Sequence, residues 1–234
     1  MCRHLAYVGE PVRLADLLLT PPHSLLRQSW APCDMRGGGT VNADGYGVGW
    51  YTGSVPVRLR RAVPMWADAS LPGLASTVSS GGVLAAVRSA TVGMPVVETA
   101  CAPFTHGPWL FSHNGVVRGW PSSVAALAAR LPVTDLLLME APTDSALLWT
   151  LLRASLVVEV AAAAPESRLN LLLTDGATIV AAAWTHSLWV RALPGGVVVA
   201  SEPYDEDPSW QEVADRHLVT ATSSTVDITE VGDS

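Results

Sequence analysis

The stretch "LNLLLTDGATIVAAAW", residues 169–184, decides how this chain is layered. Two apolar runs flank Thr174–Asp175–Gly176, and a short Asp-Gly connection between such runs is among the strongest hairpin signals. A hairpin makes antiparallel neighbours, whereas parallel strands need a crossover of about a dozen residues or more. Outward from it, "YGVGWYT" (46–52) and "VPVRLRRAV" (55–63) read as a second pair of strands, turning at Gly53–Ser54. "HLAYVG" (4–9), "GVLAAVRSAT" (82–91), "WLFSHNGVV" (109–117), "SLWVRAL" (187–193), "GGVVVASEP" (195–203) and "HLVTATSSTVDI" (217–228) supply further strands. "PVRLADLLLTP" (11–21) predicts a short helix opened by its proline. "SSVAALAARL" (122–131) predicts an alanine-rich helix capped by serine, and "TDSALLWTLLRASLVV" (143–158) a longer one with Leu147, Leu148, Leu151 and Leu152 at helical spacing. Direct hairpins with helices between runs of strands predict an α+β fold of mainly antiparallel sheets, helices packed outside.

The chain has 234 residues, 49% hydrophobic and 15% charged, which suits one globular domain of generous size or two small ones. Neither a repeat nor a long linker divides it, so residues 2–234 read as a single domain, with an edge strand and a frayed tail in the last dozen residues. Fourteen arginines, no lysine and 21 acidic residues give a net charge of −7, which argues against nucleic acid as a partner. Cys2, Cys33 and Cys101 cannot close into pairs, and a reducing cytosol is the simplest compartment. No uninterrupted apolar run reaches the roughly 18 residues of a membrane span. Glu10, Pro11 and Arg13 interrupt any signal-peptide core behind Arg3. A soluble cytoplasmic protein without a membrane partner is expected.

Candidate chemistry begins at Cys2. Removal of Met1 would join a thiol and a free α-amine on one residue. An amine that titrates near pH 8 or a little below can take the thiol's proton. The plainer reading is a small buried residue at the start of a strand. In "SHNGV", Asn114 and Gly115 offer a side-chain amide and an unhindered N–H to a developing oxyanion, or simply a turn. Arg88, at the end of an apolar run, suits a carboxylate bidentately, or a surface acid. Asp144 opens the long helix, where it either complements the dipole or binds a substrate ammonium. "NADGYGVGW" has the wrong spacing for a phosphate loop. Cys101, His106 and His113 make a poor zinc motif without a fourth ligand; a Cys101–His dyad has no evident orienting partner.

Taken together and in this order, Cys2, "NADGYGVGW", "RSAT", "HNG" and "TDS" resemble the class-II glutamine amidotransferase domain of the N-terminal-nucleophile hydrolase superfamily, over roughly residues 2–220. The resemblance implies a four-layer αββα sandwich. It implies Cys2 as nucleophile with its own α-amine as base, and Asn114 and Gly115 as the oxyanion hole. Arg88 and Thr91 would hold a glutamyl α-carboxylate and Asp144 the α-ammonium. No cofactor or metal is implied, and the partners are a small γ-glutamyl substrate and water. Many members carry Arg-Trp-Ala-Thr-His-Gly where this chain reads "RSATVG", so Ser89 and Val92 replace an aromatic and a histidine. The "MCRHLAYVGEP", "LNLLLTDG" and "ASEP" segments resemble a hydrolytic branch of the family, whose substrate is a γ-glutamyl amide with a trimethylammonium-bearing leaving group. Rival expectations are the glutaminase subunit of a two-chain amidotransferase, a peptidase for glutathione-like dipeptides, and a non-enzymatic γ-glutamyl-binding module. Among nine tryptophans, Trp30 and Trp66 are candidates for a cation–π wall, aided by the acids of "PYDEDP".

Overall fold

Alternation with a period of two sets the architecture. The computed structural model describes residues 2–36 and 41–232. In its first strand, β1 (Arg3–Arg13), Leu5 and Tyr7 pack on one side and Ala6 and Val8 on the other. Thirteen strands, β1 to β13 in chain order, form two sheets among the described residues. The first sheet runs, edge to edge, Gln211–Glu212 (β11), Trp189–Leu193 (β9), Gly196–Ala200 (β10), β1, Ser79–Val87 (β4), Tyr46–Tyr51 (β2) and Pro56–Arg61 (β3). The second runs Val226–Glu230 (β13), His217–Thr222 (β12), Thr178–Ala183 (β8), Arg168–Thr174 (β7), Trp109–Val116 (β6) and Phe104–His106 (β5). The pairings are antiparallel, including the β7–β8 hairpin, which joins Leu171↔Ala182 to Thr174↔Ile179. Its turn needs a glycine: Gly176 has φ +92°, and a Cβ there would lie 2.8 Å from the Tyr51 ring.

Three buried clusters separate four layers. Leu5, Tyr7, Val48 and Val83 meet helices α1 (Leu14–Leu18), α2 (Leu25–Gln28) and α3 (Leu71–Thr77). Ala6, Val8, Leu84, Leu172, Ala181 and Val199 fill the space between the sheets. Phe111 and Leu169 pack against α4 (Ala125–Ala128) and α6 (Asp144–Arg153); α5 (Val133–Leu137) and α7 (Val160–Ala163) complete that layer. The order helix–sheet–sheet–helix is the sandwich expected from the sequence.

Boundaries differ in four places. Pro11 does not open a helix: Val12 and Arg13 pair with Ser80 and Ser79, and Pro11 sits in the register shift between Val8 and Val12, where its missing N–H costs no ladder bond. The alanine-rich helix begins as a 3₁₀ turn at Ser122–Val124, and the Ser123 hydroxyl donates to Arg118 O instead of capping it. The long helix stops at Arg153, since Ser155 takes φ 60°. The 217–228 run is two strands, bent where Thr222 N–H donates to Thr225 O (2.9 Å), leaving β13 at the sheet edge.

Candidate active site

Strand register converges several polar residues at one end of the two sheets. Cys2 immediately precedes β1, where Arg3 pairs with Val87 of β4, and Val87 also pairs with Tyr46 of β2. The second sheet faces this end through β6: His4 Nδ1 and Ser112 Oγ are 3.1 Å apart, joining the layers. Between them lies a narrow cavity lined by Cys2, Tyr46, Arg88, Cys101, Ser112, His113 and Ser145. The structure therefore brings the half-buried thiol of Cys2 and the guanidinium of Arg88 to one cavity. The Cys2 thiol points toward Ser89 O at 3.8 Å, and Arg88 Nη1 donates to Pro95 O (2.9 Å).

Asn114 and Gly115 follow His113 along β6. Asn114 is wholly buried; its Nδ2 donates to Ser201 Oγ (3.1 Å), while Oδ1 meets no donor. Ser201 Oγ also accepts from the His4 N–H (3.0 Å). Gly115 must lack a side chain: a Cβ would lie 1.8 Å from Arg168 O and 2.7 Å from His113 Nε2. Asp144 is buried at the first position of α6, with Oδ2 accepting from Val117 N–H (3.0 Å) and Oδ1 from Ser145 N–H (2.8 Å). The helix cap is the preceding residue, Thr143, whose hydroxyl accepts from Ala146 N–H (3.2 Å). Asp144 is thus a buried carboxylate tying the helix start to the end of β6, with lone pairs left for a cation. Thr91 lies apart from the thiol cavity, in a separate groove of about 440 Å³ bordered by Met94, Val116, Arg118, Trp120 and Pro142.

His113 and Cys101 line the thiol cavity without forming a dyad. His113 Nε2 lies 2.9 Å from Arg168 O, and a carbonyl only accepts, so the ring carries its proton on Nε2. Nδ1 then accepts from Ser145 Oγ (3.0 Å), and both nitrogens are engaged. The Cys101 thiol donates toward Arg61 O (3.4 Å), and burial pushes it up to about 11, so it stays protonated. His106 is exposed at the strand end. Among the described residues, no cluster of three or more His, Cys, Asp or Glu is placed to hold a metal ion.

Trp30 and Trp66 form an edge-to-face pair at 5.7 Å, and Arg27 already lies over Trp30, 5.5 Å from its centroid. The acids of "PYDEDP" serve elsewhere: Asp205 (2.8 Å) and Asp207 (2.6 Å) hold Arg191, and exposed Glu206 lies 4.0 Å from His23. Sequence patterns do not disclose the buried polar groups behind Cys2, which are Arg3, Ser201 and Glu202. They are distant in sequence, and only the pairing of β1 with β10 unites them; a charged residue directly after the cysteine was the one local signal. No helix among the described residues is long and apolar enough to cross a membrane.

Comparison with known proteins identifies the family and the fold. A family model for class-II glutamine amidotransferases matches residues 25–196. The chain is 43% identical over 238 aligned residues to the γ-glutamyl-hercynylcysteine sulfoxide hydrolase of Mycobacterium tuberculosis (strain CDC 1551 / Oshkosh), covering 98% of this chain and 96% of the relative. It is also 43% identical to the enzyme of that name from Mycolicibacterium smegmatis, covering 98% and 99%. The fold matches the glutamine phosphoribosylpyrophosphate amidotransferase of B. subtilis with TM-score 0.72 at 13% identity, over 99% of this chain and 49% of that one.

Proposed function

The chain belongs to the class-II glutamine amidotransferases, and on that premise we propose that it hydrolyses γ-glutamyl-hercynylcysteine sulfoxide to hercynylcysteine sulfoxide and glutamate, a step of ergothioneine biosynthesis. The observation that carries this reading is the 43% identity to two hydrolases of that name along nearly the full length of both partners. Cys2 and Arg88 lining one cavity supports the same reading at the level of chemistry.

The proposed mechanism uses this chain's own residues. Loss of Met1 frees the Cys2 α-amine. Arg88 exchanges Pro95 O for the glutamyl α-carboxylate, while Asp144 takes the glutamyl α-ammonium. Fixing both charged ends of the glutamyl unit sets its γ-carbonyl over the thiol, converting an encounter into an intramolecular step. The amine removes the thiol proton and sulfur adds to the carbonyl carbon. The oxyanion is held by Gly115 N–H and by the Asn114 amide. For Asn114 to donate, its amide turns over: the Ser201 hydroxyl then donates to Oδ1, and Nδ2 is released with no hydrogen bond lost. Collapse expels the leaving amine, which takes the proton held by the Cys2 α-amine, and a Cys2 thioester remains. Water, deprotonated by the same amine, adds to the thioester, and the thiolate departs to give glutamate. The protein supplies this acid–base and nucleophilic chemistry from one residue and two donors.

The test is intact mass combined with glutamate release. Native protein should lack Met1 and turn over γ-glutamyl-hercynylcysteine sulfoxide far faster than glutamine, with Cys2→Ala folded and inactive. Full turnover by material retaining Met1, or by Cys2→Ala, overturns the mechanism; faster turnover of glutamine overturns the substrate.

A further inference from the structure

Directly behind the proposed nucleophile lies an ion pair with no surface role. Arg3 is 0% and Glu202 2% exposed, with Arg3 Nε 4.0 Å from Glu202 Oε2. The guanidinium donates through Nη1 to Cys2 O (3.0 Å) and through Nη2 to Asp34 O. Glu202 accepts from two backbone N–H groups, those of Cys33 (3.3 Å) and Asp34 (2.7 Å). The neighbouring Ser201 accepts from His4 N–H, and its own N–H donates to His4 O (2.9 Å). The 201–202 corner therefore grips residues 2–4 and 33–34 together.

Stability alone is a poor reason for this arrangement. Desolvating both charges costs several kcal/mol per ion, about as much as their attraction returns, so apolar residues of equal volume are often as good or better. What the pair does hold is the carbonyl of Cys2, the residue before β1 begins, which has no ladder partner of its own. Chain ends fray unless tied down, and a nucleophile displaced by about 1 Å loses roughly 100-fold in rate.

We propose that Arg3, fixed by Glu202, is a positioning residue for the reacting chain end: its guanidinium clamps the Cys2 carbonyl so that the α-amine stays over its own thiol and stays unprotonated. This rests on the reading of Cys2 as nucleophile. The charge environment is mixed. Arg88 and His113 line the thiol cavity, Arg168 of β7 lies within electrostatic reach of Cys2, and Asp34, Arg36 and Glu202 surround Arg3, with His4 and His186 beyond. Arg3 is the cation in direct contact with residue 2, so it disfavours an ammonium there; Glu202 acts in the opposite sense from further away.

The experiment reads kcat, KM and the acid limb of kcat/KM against pH for processed Arg3→Met, Arg3→Lys, Glu202→Gln and the apolar pair Arg3→Met/Glu202→Leu. Arg3→Met should lose about 100-fold in kcat, with KM within threefold. Its acid limb should move up by about one pH unit, since Glu202 is left without its cation. Glu202→Gln should move the limb down. The apolar pair should fold as stably as the parent and remain slow, and Arg3→Lys should recover part of the rate. Parental kcat in the apolar pair overturns the proposal. So does an acid limb that stays put in all variants, or a failure of every variant but Arg3→Lys to fold while that variant keeps the parental rate and profile. Cys2→Ala, run alongside, separates the two readings: activity there removes the nucleophile assignment itself, whereas an inactive Cys2→Ala with unaltered Arg3 variants removes only the clamp.

Discussion

At the scale of the residue, the site combines groups whose roles are set by what else they touch. Cys2, Arg88 and Asp144 stand out in the sequence as candidates because each has a local signature: a thiol behind the initiator, an arginine closing an apolar run, a carboxylate opening a helix. Their partners were not legible. His113 looks like a ligand or base, yet its two nitrogens are taken by Arg168 O and Ser145 Oγ; no local pattern discloses that a ring is already satisfied. Thr91, grouped with Arg88 by the motif, borders a different groove. The oxyanion role proposed for Asn114 depends on a second residue, since its amide and the hydroxyl of Ser201, 87 positions away, would have to exchange donor and acceptor before Nδ2 is free. Asn114→Ala should therefore cost roughly 100- to 1000-fold in kcat, the usual worth of one oxyanion donor, with KM little changed. Steady-state kinetics on the γ-glutamyl substrate decide it: a fall below tenfold would mean Gly115 N–H carries the oxyanion alone.

At the scale of the element, the helix that begins with Asp144 couples stability to the site. Its start is fixed twice, by the Thr143 cap and by the Asp144 carboxylate bridging Val117 and Ser145. Thr143→Ala should cost about 1 kcal/mol, the ordinary value of an N-cap hydroxyl. The loosened first turn should also raise KM while leaving kcat near the parent. A urea midpoint unchanged from the parent, or a kcat that falls with it, would contradict this division of labour. The existence of most elements was readable from alternation and hairpin chemistry, because a period of two is imposed by the pleat itself. Their ends were not. Pro11 reads locally as a helix opener but falls in a strand irregularity, because the following Val12 and Arg13 find partners in Ser80 and Ser79, nearly seventy residues on. Pairing across that distance overrides the local preference.

At the scale of the whole molecule, two sheets pressed together leave polar side chains sealed between layers, and this fixes how the fold responds to acid. His4, wholly buried between β1 and β6, is pushed down to about 3 by burial, with His113, His186 and Arg3 adding repulsion. Burial likewise brings His186 down to about 4, Arg3 again opposing the proton. An unfolded chain binds a proton at each ring as pH falls through about 6.5, whereas the folded chain does not until far lower. Stability is therefore unaffected by these rings above pH 6.5 and drains away beneath it, each contributing a slope of about 1.4 kcal/mol per pH unit. Glu202 acts the other way, since burial raises its carboxyl and the folded state then gains from acid, but it is one group against two. The urea midpoint should be level between pH 7 and 8 and fall steeply from pH 6 to 4.5, with His4→Asn removing about half of the slope. The proposed acid limb of catalysis belongs to an α-amine, which ordinarily titrates near 7.7–8.0, so activity should fade well before the fold does. Activity and the urea midpoint declining together between pH 6 and 4.5 would mean that unfolding, not the state of the chain end, sets the acid limit of the enzyme.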